Sequence, residues 1–249
     1  MNTVDTPDPD WFQDWFGEDY LELYPHRDDD EAERAVALIA LHAGLERGAA
    51  VLDLACGAGR HVEHLRDLGF RACGLDLSHG LLAVAREDGL PVVRGDMREL
   101  PVGSGRVAMV TSFFTSFGYF PDEQDDERVL AEIRRVLRPG GLFAVDFLNA
   151  ERVRAELRPR DQVELGRRRV VQTRELLEGG RVVQKTIEIY EQGKRQPRVF
   201  HERVRLYGPS ELGMMLERAR IEPFATFGDY AGGPLGPHAP RVILMGRAL

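Results

Sequence analysis

At 249 residues the chain has room for one α/β domain with an insertion, and its formal net charge of −8 argues against a general nucleic-acid footprint. Its apolar runs are too short to span a bilayer, and its opening residues are acidic rather than a basic, apolar leader. Two cysteines are too few for a disulfide framework, so the expectation is a cytoplasmic protein with both thiols as small buried groups.

The acidic run Asp28-Asp29-Asp30-Glu31 precedes apolar residues at helical spacing (Ala35, Leu38, Ile39, Leu41). This predicts a helix over about 30–45, with the acids as favourable N-terminal charge. An apolar strand over 50–53 runs into Leu54-Ala55-Cys56-Gly57-Ala58-Gly59-Arg60, a glycine-rich turn that opens a helix to about 68. Gly57 and Gly59 permit positive φ and close approach of backbone to a ligand. A second strand over 71–76 ends on Asp76, the place where a doubly wound sheet grips a ribose diol. A helix over 80–87 and a short strand over 92–94 follow, then Gly95-Asp96-Met97. Next come a strand over 107–112, the aromatic loop Ser112–Phe120 and a helix over 123–137. At Leu137-Arg138-Pro139-Gly140-Gly141-Leu142, the proline stops that helix and the glycines are expected to cap it. A fifth strand covers 142–147. The strand–helix alternation argues for an α/β fold, a doubly wound parallel sheet with helices on both faces.

From about 163 to 207 the periodicity becomes 2: Val183, Lys185, Ile187 and Ile189 alternate with Gln184, Thr186, Glu188 and Tyr190. Glu178–Arg181 and Gln192–Pro197 read as turns, which gives an inserted meander of three antiparallel strands. Gly208-Pro209-Ser210-Glu211 then starts a helix, with proline at its first position. The front of the chain is acidic and the segment from about 152 to 205 is arginine-rich, so attraction between the two is open.

A dinucleotide site needs a third glycine where this chain has Val62, and Asp53 before the turn would repel a pyrophosphate. An acid there suits an ammonium or sulfonium ligand. The set Asp53-Leu54-Ala55-Cys56-Gly57-Ala58-Gly59-Arg60, Asp76 and Gly95-Asp96-Met97 resembles the class I S-adenosylmethionine (SAM)-dependent methyltransferases, in particular bacterial small-molecule and peptide N-methyltransferases. The resemblance covers nearly the whole chain. It implies a Rossmann-like seven-stranded sheet whose last strand, Pro240–Met245, is reversed. It also implies one domain over 1–249, with an N-terminal cap segment over 1–46. SAM is the implied cofactor and S-adenosylhomocysteine (SAH) the product. Asp76 is then the ribose ligand, and Asp96 with Met97 the adenine site. Ala55, Gly57, Gly59, Leu77, Ser112 and Phe113 complete the implied cofactor site with Asp53.

The resemblance makes Tyr20–Arg27 a segment folded over the methionine end of SAM. Tyr20 and Tyr24 are the channel candidates and Arg27 the carboxylate candidate; an amphipathic turn tucking Leu23 and Tyr24 onto the core fits the same residues. Tyr119 is expected to face the acceptor, most of the loop phenylalanines to be core, and His61 to orient the glycine turn. The meander reads as a substrate lid or a homodimer contact, with a surface ribbon as the plain alternative. No tight acidic or histidine cluster suggests a metal. An amine acceptor, arriving deprotonated on a small molecule or peptide, needs least from the protein. An O-methyltransferase and a catalytically silent SAM-binding regulatory module stay open, and neither a nucleic-acid nor a membrane partner is expected.

Overall fold

The computed structural model describes residues 10–23 and 29–249, the Glu18 side chain excepted. Two short helices come first, α1 (Trp11–Trp15) and α2 (Glu18–Leu23), and then α3 (Asp29–Ala43). The core alternates β1 (Ala50–Leu54), α4 (Arg60–Asp67), β2 (Arg71–Asp76), α5 (His79–Glu87), β3 (Val92–Arg94), β4 (Val107–Ser112), α6 (Glu123–Val136) and β5 (Leu137–Leu148). After α7 (Ala150–Glu156) a separate sheet is built from β6 (Arg160–Leu165), β7 (Arg168–Leu177), β8 (Val182–Glu191) and β9 (Arg198–Arg205). The chain returns through α8 (Pro209–Arg218), β10 (Ile221–Phe227) and β11 (Arg241–Ala248).

The main sheet has the order β10-β11-β5-β4-β1-β2-β3. β11 lies antiparallel to both neighbours, so the strand closest to the C-terminus is the reversed one, as expected. Alternate residues of the central strands feed two cores. Val110, Phe143 and Val145 pack with Leu130 and Ile133 of α6 and Leu212 and Leu216 of α8. Met109, Leu142 and Ala144 pack with Ala35 and Ile39 of α3 and Val62 and Leu65 of α4. That split is the period-2 consequence of helices on both faces. Strand order reverses between β1 and β4, and an open sheet of this kind binds ligands outside the strand carboxyl ends at such a point.

Several boundaries differ from the sequence reading. The insertion has four strands, not three, because β6 is an almost fully exposed edge whose Arg160-Asp161-Gln162-Val163-Glu164 run carries no apolar alternation. α6 stops at Val136, and Leu137 is already extended and registered on Val107 of β4, so the glycines after Pro139 cap nothing. α1, α2 and α7 had no clear periodic signal: each is seven residues or shorter. Cys56 is buried as expected, whereas Cys73 is only half-buried. Among the described residues no helix is long and apolar enough to cross a membrane.

The acidic front and the basic insertion do meet. Asp19 pairs with Arg198 and Glu22 with Arg168. The Trp15 indole N–H donates to Glu202 at 2.7 Å, and its ring lies 4.9 Å from that of Phe200. The cap therefore rests on β7 and β9. These links are partly exposed, so the buried Trp15 contributes more to holding the cap than the ion pairs do.

Candidate active site

A cavity of about 270 Å³ opens at the carboxyl ends of β1, β2 and β4. One part of its wall is the glycine turn Ala55–Ala58, the stretch Leu75–Ser78 and the segment Gly95–Met97. The other part is aromatic: Phe12, Phe16 and Tyr20 from the cap, and Phe113, Phe114, Tyr119 and Phe120 from the loop after β4.

Asp76 closes the turn. Its Oδ2 accepts from the Gly57 N–H at 2.8 Å and its Oδ1 from the Ser78 N–H at 2.8 Å. The carboxylate keeps lone-pair capacity beyond these backbone donors, which a ribose hydroxyl can use. Burial raises the Asp76 carboxyl, and those backbone donors oppose the shift. Gly57 has φ +57, and a Cβ there would meet only Leu81 at 3.7 Å, so the turn lies open to a ligand. Gly59 serves differently from expectation. It is off the wall, and a Cβ would stand 2.5 Å from the Leu90 side chain, so its glycine is demanded by φ +89 and by packing.

Asp53 is also off the wall. It is 1% exposed, and Thr111 Oγ1 donates to its Oδ1 at 2.7 Å. Its Oδ2 is buried with no hydrogen-bond partner among the described residues. Burial, helped by the charge of Asp76 and opposed by Thr111, pushes its carboxyl up to about 7. A buried, unsatisfied carboxylate oxygen is costly, and a cationic ligand beside it would remove the cost.

Asp96 and Met97 are on the wall. Sequence reasoning missed that Arg98 forks onto Asp96, with Nη2 to Oδ2 at 2.7 Å and the backbone N–H to Oδ1 at 2.8 Å. Burial raises the Asp96 carboxyl, but the Arg98 hydrogen bonds outweigh it, and the net shift is downward. Arg98 in turn reaches Asp125 of α6 at 2.9 Å.

Residues 51–141 match a family model described as a methyltransferase domain. This stretch, which holds the glycine turn, Asp76 and Asp96, is similar to the methyltransferase domain that the family model describes. Over 132 residues it is 34% identical to a dTDP-3-amino-3,6-dideoxy-alpha-D-glucopyranose N,N-dimethyltransferase of Streptomyces fradiae, covering 52% of this chain and 48% of that one. Over 99 residues it is 35% identical to a dTDP-3-amino-3,4,6-trideoxy-alpha-D-glucopyranose N,N-dimethyltransferase of Streptomyces venezuelae. The chain thus spans less than half the length of either curated relative. The fold is shared along almost the whole chain with the CcbJ methyltransferase of Streptomyces caelestis, at TM-score 0.79, 22% identity, and 94% and 98% coverage of the two chains. A sugar N-methyltransferase from Streptoalloteichus superposes at TM-score 0.70 and 24% identity, over 100% and 98% of the two chains. SAM is the cofactor of this family, and the Asp53 oxygen, the Asp76 lone pairs and the open Gly57 turn fit it.

Of the residues singled out in the sequence, Tyr20, Ala55, Gly57, Asp76, Leu77, Asp96, Met97, Phe113 and Tyr119 converge on one cavity. Ser112 does not; it is buried behind the wall. Tyr24 and Arg27 lie outside the described residues. As expected, most of the loop phenylalanines are core: Phe113, Phe117 and Phe120 are buried, Phe117 against Tyr207. Phe113, Phe114 and Phe120 also reach the cavity wall. The cause is backbone: Phe114 and Thr115 are successive non-glycine residues at φ +58 and +65, which turns the chain over the cavity mouth. Buried Asp146 holds that turn. It accepts from the Phe114 N–H at 2.9 Å, Tyr230 Oη at 2.6 Å and Arg241 Nε at 2.7 Å.

His61 stacks on Phe113 with ring centroids 4.2 Å apart. Tyr119 stacks on Phe16 and meets the edge of Trp11, 5.1 Å away. Tyr20 packs against Trp15 and Phe16. Ser78 Oγ donates to the Phe16 carbonyl at 2.5 Å, tying the cap to the start of α5. No described ribbon residue reaches the wall; the ribbon carries the cap rather than covering the cavity itself.

Proposed function

We propose that this protein transfers the methyl group of SAM to an amine on a small molecule. The observation that carries the reading is one cavity with a carboxylate-and-glycine end and an aromatic end. The polar end would hold SAM: Asp76 at the ribose hydroxyls, Asp96 and Met97 at the adenine, the Gly57 turn and Asp53 at the amino-acid end. Bound SAM supplies a methyl group already activated by its sulfonium charge.

The chain's own residues then have three tasks. The cap excludes water by placing Phe12, Phe16 and Tyr20 over the cavity. The aromatic faces attract positive charge, whether it sits on sulfur or on the acceptor nitrogen, and this favours the transfer geometry without a charged side chain. Tyr20 and Tyr119 offer hydroxyls that orient the acceptor. A hydroxyl acceptor needs a base within reach, but the two wall carboxylates are engaged at the cofactor end and His61 is stacked on Phe113. A neutral amine needs no such base. The relatives named as N,N-dimethyltransferases of amino sugars support this choice. We extend the proposal to a cytoplasmic enzyme, with the ribbon as the face for a second copy.

Calorimetry with SAM, SAH and NAD tests the cofactor, and SAH release from SAM with a library of primary and secondary amines and matched alcohols tests the acceptor. Binding of SAH without NAD, with turnover on amines, is expected. NAD binding without SAM binding, or turnover confined to alcohols, would overturn the reading.

A further inference from the structure

Tyr119 follows a residue that is gripped from two sides. The Gly118 carbonyl accepts from the Arg205 N–H of β9 at 2.8 Å, and the Gly118 N–H donates to Asp126 Oδ1 of α6 at 3.2 Å. The second oxygen of Asp126 accepts from Tyr207 Oη at 2.7 Å. Asp126 is fully buried and Tyr207 nearly so. Gly118 has φ +79, and a Cβ there would stand 3.1 Å from the Arg205 carbonyl, so no larger residue fits the grip without a shift. The Arg205 guanidinium closes the far side on the Pro121 carbonyl at 2.8 Å and on Glu123 at 3.2 Å.

A carboxylate inside a core is expensive unless its oxygens are used. Packing alone would be served better by an apolar side chain on α6. What an apolar side chain cannot do is accept from a loop N–H and a tyrosine hydroxyl together. Both bonds of Asp126 end on segments that fix Tyr119: the loop itself, and the β9–α8 link that runs from the ribbon. None of these groups lies on the cavity wall.

We propose that Asp126, with Tyr207, is a positioning residue for Tyr119: the pair sets where that ring stands at the acceptor end of the cavity. This rests on reading the aromatic end as the acceptor site. It makes the ribbon a participant in acceptor placement without touching the acceptor.

The test uses the full chain and the variants Asp126→Ala, Asp126→Asn and Tyr207→Phe. Trp11 lies against Tyr119 and reports its seat, while the other tryptophan of the chain, Trp15, faces Phe200 and Tyr20. Asp126→Ala and Tyr207→Phe should shift tryptophan emission to the red and raise its quenching by acrylamide. Asp126→Asn keeps a carbonyl oxygen for the Gly118 N–H and should stay near the wild type. SAH affinity should stay within about twofold in all three, because the cofactor end is a separate set of contacts. A lowered melting temperature with unmoved emission would reduce Asp126 to a structural role and overturn the proposal, as would loss of SAH affinity in Tyr207→Phe. Tyr207→Phe removes only an oxygen and decides alone if Asp126→Ala does not fold. A wild-type protein that fails to bind SAH sinks the methyltransferase reading instead.

Discussion

Asp76 is the residue whose removal should cost the cofactor most. It accepts two backbone N–H bonds that shape the turn, and it presents its spare lone pairs to the cavity. Charge-assisted hydrogen bonds of this kind are worth about 1.5–3 kcal/mol each. Asp76→Ala should therefore weaken SAH binding at least roughly tenfold, as read by calorimetry, with the fold retained. Asp53 gives a different signature. Its carboxyl is pushed up to about 7, chiefly by burial, so below that pH the empty site holds a proton. An ammonium beside it favours the carboxylate, so SAH binding should expel a proton, and affinity should fall as pH drops below about 7. Titrations in two buffers of different ionisation enthalpy measure this directly; zero proton release would remove Asp53 from the ammonium role. Tyr119→Phe should leave SAH affinity unchanged and lower turnover on an accepted amine. Asp53 and Asp76 were legible because the motif placed them, and Tyr119 because it is the one polar-tipped ring of its loop. Arg98 on Asp96 and Tyr230 on Asp146 were not, since both depend on side chains brought together by the fold rather than by spacing.

At the scale of elements, the cap hangs on few contacts. Ser78 Oγ accepts from the Leu81 N–H at 3.1 Å as the N-cap of α5 and donates to the Phe16 carbonyl, so one hydroxyl serves two elements. Ser78→Ala should cost about 1 kcal/mol as a lost cap. It should also raise the SAH dissociation rate in stopped flow, because Phe12, Phe16 and Tyr20 are freed at their inner edge; an unchanged rate would mean the cap does not gate exchange. β1 to β4 fell within one residue of the sequence reading because each is bounded by turn residues, and β1 and β4 are also buried almost throughout. α1 and α2 escaped it: helices this short have almost no period to detect and are held by tertiary contacts, here Trp15 on Phe200 and Tyr20. β6 escaped for the opposite reason, having only its pairing with β7 to define it.

For the molecule as a whole, two buried acids tilt stability with pH. Burial raises the carboxyls of Asp53 and Asp126 from 3.8 to about 7 and about 6. The folded chain binds those protons more tightly than the unfolded chain does. Their contribution is therefore complete below about 3.8 and is lost as pH rises through the folded values. Against Asp53→Asn, the wild-type protein should lose thermal stability between about pH 4 and pH 7, and a constant gap between the two across that range would refute it. The match to the methyltransferase family runs from 51 to 141, and the cap and the ribbon both lie outside it. Those two outer pieces clasp each other across 146 to 187 residues of chain through Asp19–Arg198, Glu22–Arg168 and Trp15–Glu202. Neither can therefore be exchanged alone. A chimera that imports only a foreign cap would set it on a ribbon with the wrong charges and no seat for its tryptophan. Acceptor preference in this architecture should accordingly be inherited, and transplanted, as a matched pair around an unaltered cofactor half.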